Sequence, residues 1–332
     1  TFMGDEINKA TVTAMSDAIS SRYNISENFY KLKAKTLNQE LAEWDRYSSW
    51  FEHKDEQQYS WEDAKEIVVE TFSSFSPKFG EIAKEFFDKK WVDAELNPGK
   101  KSGALCSYSG PDRNPFILMN YTGTQNDIRT LAHELGHGIH GYLSRKQNML
   151  HFFPSTPIAE IASIFCESVT FDYLYSQETD NMVKANMLAD KLQETFATIF
   201  RQNAFYLFES DIHQHRREKG ELSTADFNRY FQQRLQPMFG QGLNLTEGHQ
   251  TWWIPVGHFY HYNFYVFSYS FGQTLTTALY ANYKEQGKSF IENYQEVLSW
   301  GGSQDLYSIT KGLGVDINAE NFWNQGLDII EG

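Results

Sequence analysis

Apolar residues recur every three to four positions along most of the chain, which is the spacing of amphipathic α-helices. Helix-breaking residues are sparse, with 8 prolines in 332 residues, and no linker-like stretch divides the sequence. We therefore expect a mainly α-helical protein that forms one domain over residues 1–332. Six segments are predicted to be helical, with short breaks inside them: residues 6–52, 61–91, 124–150, 157–219, 223–240 and 259–300.

Two short segments interrupt the helical pattern. "GALCSYSG" (103–110) and "FILMNYTG" (116–123) are rich in β-forming residues and are bounded by glycine or proline. Runs of this kind, separated by a turn, are typical of paired strands. The sequence therefore predicts a small antiparallel hairpin here.

Charge and cysteine content narrow the class of protein. The net charge is −14, and an acidic surface repels phosphate backbones and anionic membranes, so neither nucleic acid nor a membrane is an expected partner. Two cysteines, Cys106 and Cys166, make no disulfide framework, and we expect reduced thiols in a cytoplasmic protein. The chain starts without Met inside a predicted helix, so we expect an upstream part to be missing.

The segment "TLAHELGHGIHGYLS" (130–144) concentrates titratable side chains on one helix. Thr124 is a suitable N-cap for that helix. At about 100° per residue, one side carries His133, Glu134, His137 and His140. No Lys or Arg lies between residues 130 and 144, although a solvated face normally has mixed charges. The other side is an apolar stripe of Ile128, Leu131, Ala132, Leu135, Ile139, Tyr142 and Leu143.

Three glycines in the same helix, at positions 136, 138 and 141, also argue against a solvated face. A glycine inside a helix costs about 1 kcal/mol relative to alanine. We therefore expect other backbone or a ligand to approach the helix closely at these positions.

Histidines four residues apart lie one helical turn apart, so His133 and His137 can both reach one Zn²⁺ at roughly 2.0–2.1 Å. Glu134 points slightly aside and can serve as general base toward a water molecule at the metal. A catalytic zinc takes three protein ligands. His140, Glu160 and Glu167 are the candidates for the third.

A second helix follows in "FPSTPIAEIASIFCESV" (153–169). Thr156 suits the N-cap and Pro157 the first helical position. Glu160 and Glu167 are seven residues apart and share the face opposite the apolar stripe. Two carboxylates aligned in this way suggest one metal ligand and one carboxylate that supports a ligand.

These segments together resemble the oligoendopeptidase F branch of the thimet-oligopeptidase family of zinc peptidases. The resemblance is carried by "TLAHELGHGIHGYLS", "AEIASIFCES" (159–168) and "HFYHYNFYVFSYSFG" (258–272), in that order. "KKSGALCSYSGPDRNPFILMNYTGT" (100–124) and "LSWGGSQDLYSITKGLGVD" (298–316) fit the same family, so the similarity covers most of the chain.

The resemblance implies a zincin-like helical fold with the hairpin beside the active site, and one zinc per chain. It implies that His133, His137 and Glu160 are the zinc ligands. Glu134 would be the general base, and Glu167 a supporting carboxylate. Family members carry a further helical region upstream, which we expect this chain to lack.

His258, Tyr262, Tyr265 and Tyr269 are spaced as i, i+4, i+7 and i+11, which predicts one stripe of a helix. A packed aromatic stripe is the alternative interpretation. The resemblance implies that a His and Tyr residues of this segment bind the tetrahedral intermediate. His258 matches that His, Tyr265 is the first choice for the Tyr, and Tyr262 is the second.

An extended peptide can add to an exposed strand edge through backbone hydrogen bonds. Gly103, Ala104 and Tyr108 of the predicted hairpin are candidates for binding substrate in this way, and a purely structural hairpin is the alternative.

The expected activity is endopeptidase cleavage of short oligopeptides. Two rivals stay open. One is a dipeptidyl-carboxypeptidase type of exopeptidase, for which Arg113 is the candidate cation for the substrate carboxylate. The other is a non-catalytic fragment that binds peptide or metal.

Overall fold

The computed structural model describes residues 7–51, 57–319 and 321–331. The chain forms two compact units, and each consists of separate stretches of sequence. The first unit comprises residues 1–52, 185–275 and 318–332, and the second comprises residues 53–184 and 276–317. The single domain stays a prediction. Positions 6 and 52, the ends of the first predicted helical segment, lie outside the described residues.

Helices dominate the described residues, which confirms the predicted mainly α class. Shorter 3-10 turns cover Glu43–Tyr47, Ser144–Lys146 and Glu247–Thr251, and a π-helical turn covers Ala197–Arg201. In chain order the helices are α1 (Lys9–Ser21), α2 (Tyr23–Leu37), α3 (Trp61–Phe75), α4 (Pro77–Asp88), α5 (Gln125–Leu143), α6 (Thr156–Gln177), α7 (Asn181–Phe196), α8 (Gln202–Lys219), α9 (Thr224–Phe239), α10 (His258–His261), α11 (Phe267–Gln286), α12 (Lys288–Leu298), α13 (Leu306–Gly312) and α14 (Phe322–Glu331).

The first unit has an aromatic core. Phe29 of α2 packs edge-on against Phe196 of α7, with ring centroids 4.8 Å apart. Phe208 of α8 likewise packs against Phe231 of α9 at 5.3 Å. Aromatic pairs of this geometry add to the stabilisation from apolar burial. In the described part of the chain, no helix has the length and apolar character needed to cross a membrane.

A three-stranded sheet lies in the second unit. Its strands are β1 (Val92–Asp93), β2 (Leu105–Ser107) and β3 (Phe116–Leu118), in the spatial order β1-β3-β2. β2 and β3 are antiparallel, with Cys106 opposite Ile117, so the predicted hairpin is confirmed. β1 was not predicted, and it pairs with β3 in parallel.

The glycines of α5 face close neighbours, as the sequence predicted. A Cβ atom at Gly136 would lie 2.6 Å from the carbonyl oxygen of Ala162 and 2.6 Å from the Cα of Ser163, both in α6. At Gly138 it would meet the ring of Phe86 at 2.6 Å. Only glycine at position 136 lets the backbones of α5 and α6 approach this closely, and these two helices carry the candidate site.

We expect Gly136→Ala to lower the free energy of unfolding by roughly 1–3 kcal/mol, because backbone atoms of α6 must shift to admit the methyl group. Gly248→Ala is the matched control, since its Cβ would have nothing closer than the Thr246 hydroxyl at 3.6 Å. Chemical denaturation measures both variants. A more stable Gly136→Ala protein would show that helix propensity outweighs the clash, contrary to this account.

Candidate metal centre

Local sequence positions the helix that carries the histidines. The amide of Asp127 donates to the Thr124 hydroxyl (3.2 Å), and the amide of Thr124 donates to the Asp127 carboxylate (3.1 Å). This reciprocal pair is a capping box and confirms the predicted N-cap of α5. The predicted apolar stripe is buried, with Leu131 and Leu135 both 0% exposed. The side of α5 that carries His133 and His137 approaches Glu160 of α6.

Side chains of α5 and α6 converge on one point. The Nε2 atom of His133 lies 3.6 Å from Oε2 of Glu160, and the Nε2 atom of His137 lies 3.7 Å from the same oxygen. These three donor atoms all lie within 4.8 Å of one another. Among the described residues, this is the one group of His, Cys, Asp and Glu side chains whose geometry could hold a metal ion.

The donor set fits a zinc ion. Zinc prefers imidazole nitrogen and carboxylate oxygen at about 2.0–2.2 Å in a tetrahedral arrangement, which places its ligands about 3.4 Å apart. The separations of 3.6 and 3.7 Å are close to that value. With three protein donors, a tetrahedral ion keeps one position for water or substrate.

The other two candidates for the third ligand lie elsewhere. His140 is 1% exposed and does not belong to the three-residue group. Glu167 lies on the opposite side of the His133 ring, where its Oε2 is 3.4 Å from Nδ1. Glu167 thus contacts the His133 ring from the side away from Glu160, and its role as a supporting carboxylate stays a prediction.

Burial sets the protonation of the group. Loss of solvation lowers the pKa of His137 to about 4. Burial opposes a charge on His133 as well, but its hydrogen bond to Glu167 and the field of Glu160 raise its pKa overall. Metal ligation needs a neutral imidazole, and His137 is already neutral near pH 7.

Glu134 lies between α5 and the sheet. The residue is 8% exposed. Its carboxylate accepts a hydrogen bond from the backbone amide of Cys106 in β2. Burial raises the pKa of Glu134, and the neighbouring Glu160 adds to the effect. The Glu134 carboxylate is therefore close to His133 and Glu160 and bonded to a strand amide, and its role as general base stays a prediction.

The strand that holds Glu134 is an edge of the sheet, because β3 lies between β1 and β2. Leu105 and Ser107 of this strand are exposed. Gly103 has a φ of +85°, which favours glycine, and its carbonyl accepts a hydrogen bond from Asn120. Ala104, which follows it, is half-buried.

Tyr108 follows the edge strand and packs under α5. Its ring would lie 3.1 Å from a Cβ atom at Gly141, and it stacks on Phe153 with centroids 6.0 Å apart. Burial raises the pKa of its hydroxyl, and Cys106 and Glu160 raise it further. Tyr108 thus stays a neutral hydrogen-bonding group. The substrate-binding role of Gly103, Ala104 and Tyr108 remains a prediction.

The predicted single helical stripe through residues 258–269 is wrong. α10 ends at His261 and α11 begins at Phe267, and Phe264 between them has a φ of +59°, in the left-handed region. A phenylalanine is strained in that region, so the helix cannot continue through it. Tyr262 is 65% exposed at the start of this interruption.

The interruption still brings part of the predicted set together in the first unit. The rings of His258 and Tyr265 stack with centroids 5.7 Å apart, and the Nε2 atom of His258 lies 3.2 Å from the hydroxyl of Tyr269. The Tyr262 ring is 6.1 Å from that of Tyr265. His258, Tyr262 and Tyr265 belong to the first unit, whereas the candidate metal ligands belong to the second.

A buried carboxylate anchors the strained turn. The amide of Phe264 donates to Oε1 of Glu209 in α8 at 2.8 Å. Glu209 is 1% exposed, and among the described residues its Oε2 has no hydrogen-bond partner. Burial raises the pKa of Glu209 to about 7, although the Phe264 amide opposes the shift.

This raised pKa predicts that stability falls as pH rises from about 4.5 to about 7, because there the folded state keeps a proton that the unfolded state releases. The contribution is on the order of 3 kcal/mol. Glu209→Gln keeps the acceptor for Phe264 and removes the titration. The free energy of unfolding is measured in urea at pH 5 and at pH 8 for both proteins. We expect the stability of the variant relative to wild type to be greater at pH 8 than at pH 5. An equal difference in unfolding free energy between variant and wild type at both pH values would contradict the raised pKa of Glu209.

Sequence reasoning missed Arg129. Its Nη2 atom donates to Oε1 of Glu167 at 2.7 Å, and the residue is 9% exposed. The signal was present, since Arg129 precedes His133 by four residues and therefore lies on the same face of α5. Arg129 lies one residue before the segment 130–144, which contains no Lys or Arg.

Comparisons with known proteins identify the family of this chain. The sequence profile of peptidase family M3 matches residues 4–329. The oligoendopeptidase F homologue of Borreliella burgdorferi is 32% identical over 326 residues, covering 95% of this chain and 54% of that protein. Oligopeptidase PepF of Bacillus subtilis is 31% identical over 261 residues, covering 78% of this chain and 39% of that protein.

A solved structure is similar over the same length. It is that of a candidate peptidase from Chlamydophila abortus, with 26% identity and a TM-score of 0.86, and the match covers 98% of this chain and 54% of that one. The chain thus spans about half the length of the relatives it matches. The resemblance noted in the sequence is confirmed, and the chain belongs to peptidase family M3, a family of metallopeptidases.

Proposed function

We propose that this chain carries the catalytic centre of a zinc-dependent endopeptidase that hydrolyses short oligopeptides. The observation that supports this most strongly is the convergence of two imidazoles and one carboxylate, with Glu134 held beside them by the Cys106 amide. The names of the relatives, oligoendopeptidase F and oligopeptidase, agree with oligopeptide substrates.

His133, His137 and Glu160 would hold one zinc ion per chain. Bound zinc would act as a Lewis acid on the peptide carbonyl and would lower the pKa of water toward 7. Glu167 would orient His133, because its ionised carboxylate would accept from Nδ1 and so direct Nε2 toward Glu160.

Glu134 would act as general base and then as general acid. It would take the proton from the water that attacks the scissile carbonyl and pass it to the departing amine. Its carboxylate accepts a hydrogen bond from the Cys106 amide, which would help to orient it for this role.

His258 and Tyr265 would donate hydrogen bonds to the oxygen of the tetrahedral intermediate, a role that the family resemblance implies. Tyr262 is the second choice for the tyrosine. The stacking of His258 on Tyr265 supports a preformed pair. Loss of one such donor typically costs about 3–4 kcal/mol of transition-state stabilisation.

The substrate would bind as an added strand along β2. Backbone groups near Gly103 and Ala104, with the Tyr108 hydroxyl, would fix its register without selecting particular side chains. Oligopeptides are thus the proposed partners, with no role for nucleic acid or membrane. Both cysteines are free thiols, in keeping with a cytoplasmic location.

The test is cleavage of a peptide library whose members are blocked at both ends, with chelator, without it, and after zinc is restored. We expect internal cleavage that chelator abolishes and zinc recovers. Cleavage that requires a free C-terminal carboxylate, and is lost in Arg113→Ala, would favour the exopeptidase. One bound zinc with intact peptides would favour the non-catalytic alternative.

A further inference from the structure

A buried cation lies behind the carboxylate that contacts His133. The guanidinium of Arg129 donates from Nη2 to Oε1 of Glu167 at 2.7 Å, and the two side chains are 11% and 18% exposed. Its Cζ also lies 5.7 Å from the ring centroid of Phe171, one turn beyond Glu167 on α6. Arg129 is thus held from two directions.

The two oxygens of Glu167 have different partners. Oε1 accepts from Arg129, whereas Oε2 lies 3.4 Å from Nδ1 of His133. An ionised carboxylate has no proton to donate and can only accept a hydrogen bond. This contact therefore places the proton on Nδ1 of His133. The lone pair of Nε2 then faces Oε2 of Glu160 at 3.6 Å.

The arginine has two effects on this arrangement. An unpaired carboxylate at this depth would be costly, and the charge of Arg129 compensates it. The short bond to Oε1 also limits rotation of the carboxylate, which keeps Oε2 directed at the imidazole.

We propose that Arg129 is a positioning residue that sets the zinc affinity of this centre by acting through Glu167 on His133. The inference rests on the proposed function, since it assumes that His133 is a zinc ligand. The contact that carries the proposed influence is the hydrogen bond from Nη2 of Arg129 to Oε1 of Glu167.

A purely structural role for Arg129 makes a different prediction. If the arginine only stabilised the packing of α5 on α6, its loss would weaken zinc binding whether or not position 167 carried a charge. If it acts through the carboxylate, the effect must largely vanish once that carboxylate is gone. A double-mutant cycle separates the two cases.

The experiment measures the Kd for Zn²⁺ by competition with a chromophoric chelator, in the wild type, Arg129→Met, Glu167→Gln and the double variant. We expect Arg129→Met to weaken binding roughly 10- to 100-fold. In the Glu167→Gln background, the same change should alter Kd by less than about threefold. Arg129→Lys, which keeps the charge without the planar fork, should fall between wild type and Arg129→Met.

Arg145→Met is the matched control. Arg145 belongs to the same unit, bonds with Asn114 and packs on the ring of Tyr142, so its loss should leave the Kd for zinc unchanged. If the far-UV circular dichroism of Arg129→Met shows that it does not fold, the cycle is run with Arg129→Lys instead. The effects of Arg129→Lys and Glu167→Gln on the Kd for zinc are then expected to be non-additive in the same way.

Additive effects in the cycle, or an unchanged Kd in Arg129→Met, would overturn the inference while leaving the proposed function intact. Failure of the wild-type chain to bind zinc would instead overturn the proposed function and the inference with it. Because zinc binding is measured without substrate, neither result depends on turnover.

Discussion

Glu134→Gln should lower kcat by roughly 10²–10⁴-fold, the range that a general acid–base group contributes. Glutamine has nearly the same shape and can still accept from the Cys106 amide, but it cannot take up the proton of the attacking water. His133, His137 and Glu160 are untouched by the change. We therefore expect the variant to keep one zinc per chain and to lose turnover of a quenched fluorescent peptide.

The control for this prediction is Glu81→Gln on α4 of the same unit. Glu81 is exposed and pairs with Lys78 across the surface, so its loss should leave kcat unchanged. Near-normal turnover by Glu134→Gln would remove Glu134 from the mechanism. Loss of zinc from that variant would instead assign it a role in metal binding.

His137→Gln should abolish stoichiometric zinc binding and, with it, peptide hydrolysis. Its Nε2 atom is one of the three convergent donors, and two remaining ligands make a weak site. The expected loss of zinc affinity exceeds the roughly 10- to 100-fold change that a supporting residue gives. Metal analysis after equilibrium dialysis measures the zinc content, and far-UV circular dichroism checks folding.

His140→Gln is the matched control for this variant, because it makes the same change one turn further along α5. His140 is fully enclosed and outside the donor group, so the variant should retain its zinc even if it loses some stability. Zinc loss from His140→Gln, with retention in His137→Gln, would reverse the ligand assignment.

The shared face of His133 and His137 in the candidate metal centre could be predicted because its determinants are local. The capping box of Thr124 and Asp127 and the apolar stripe of α5 both follow from residues within a few turns of one another. These fix which side of the helix carries His133 and His137. Glycine at position 136 signalled a close approach, and the structure shows that α6 makes it.

The features that sequence reasoning missed depend on contacts between distant residues. The interruption between α10 and α11 is fixed by Glu209, which lies 55 residues before Phe264 and binds its amide. The helical spacing of His258 and Tyr265 is real in the sequence, and a tertiary hydrogen bond overrides it. β1 is only two residues long and is defined solely by its pairing with β3.

Arg129 shows a third limit. Its position on α5 could be read from the sequence, but its partner Glu167 lies 38 residues further along, on α6. A lone arginine beside a histidine cluster first suggests charge repulsion of a metal. Only the structure shows that a carboxylate stands between the guanidinium and the imidazole.

Diffraction from crystals of the zinc-loaded chain, recorded on both sides of the zinc absorption edge, locates the ion directly. We expect one anomalous peak per chain within about 2.0–2.2 Å of Nε2 of His133, Nε2 of His137 and a carboxylate oxygen of Glu160. A stoichiometric zinc found at any other place, with these three side chains directed apart, would contradict the proposed centre.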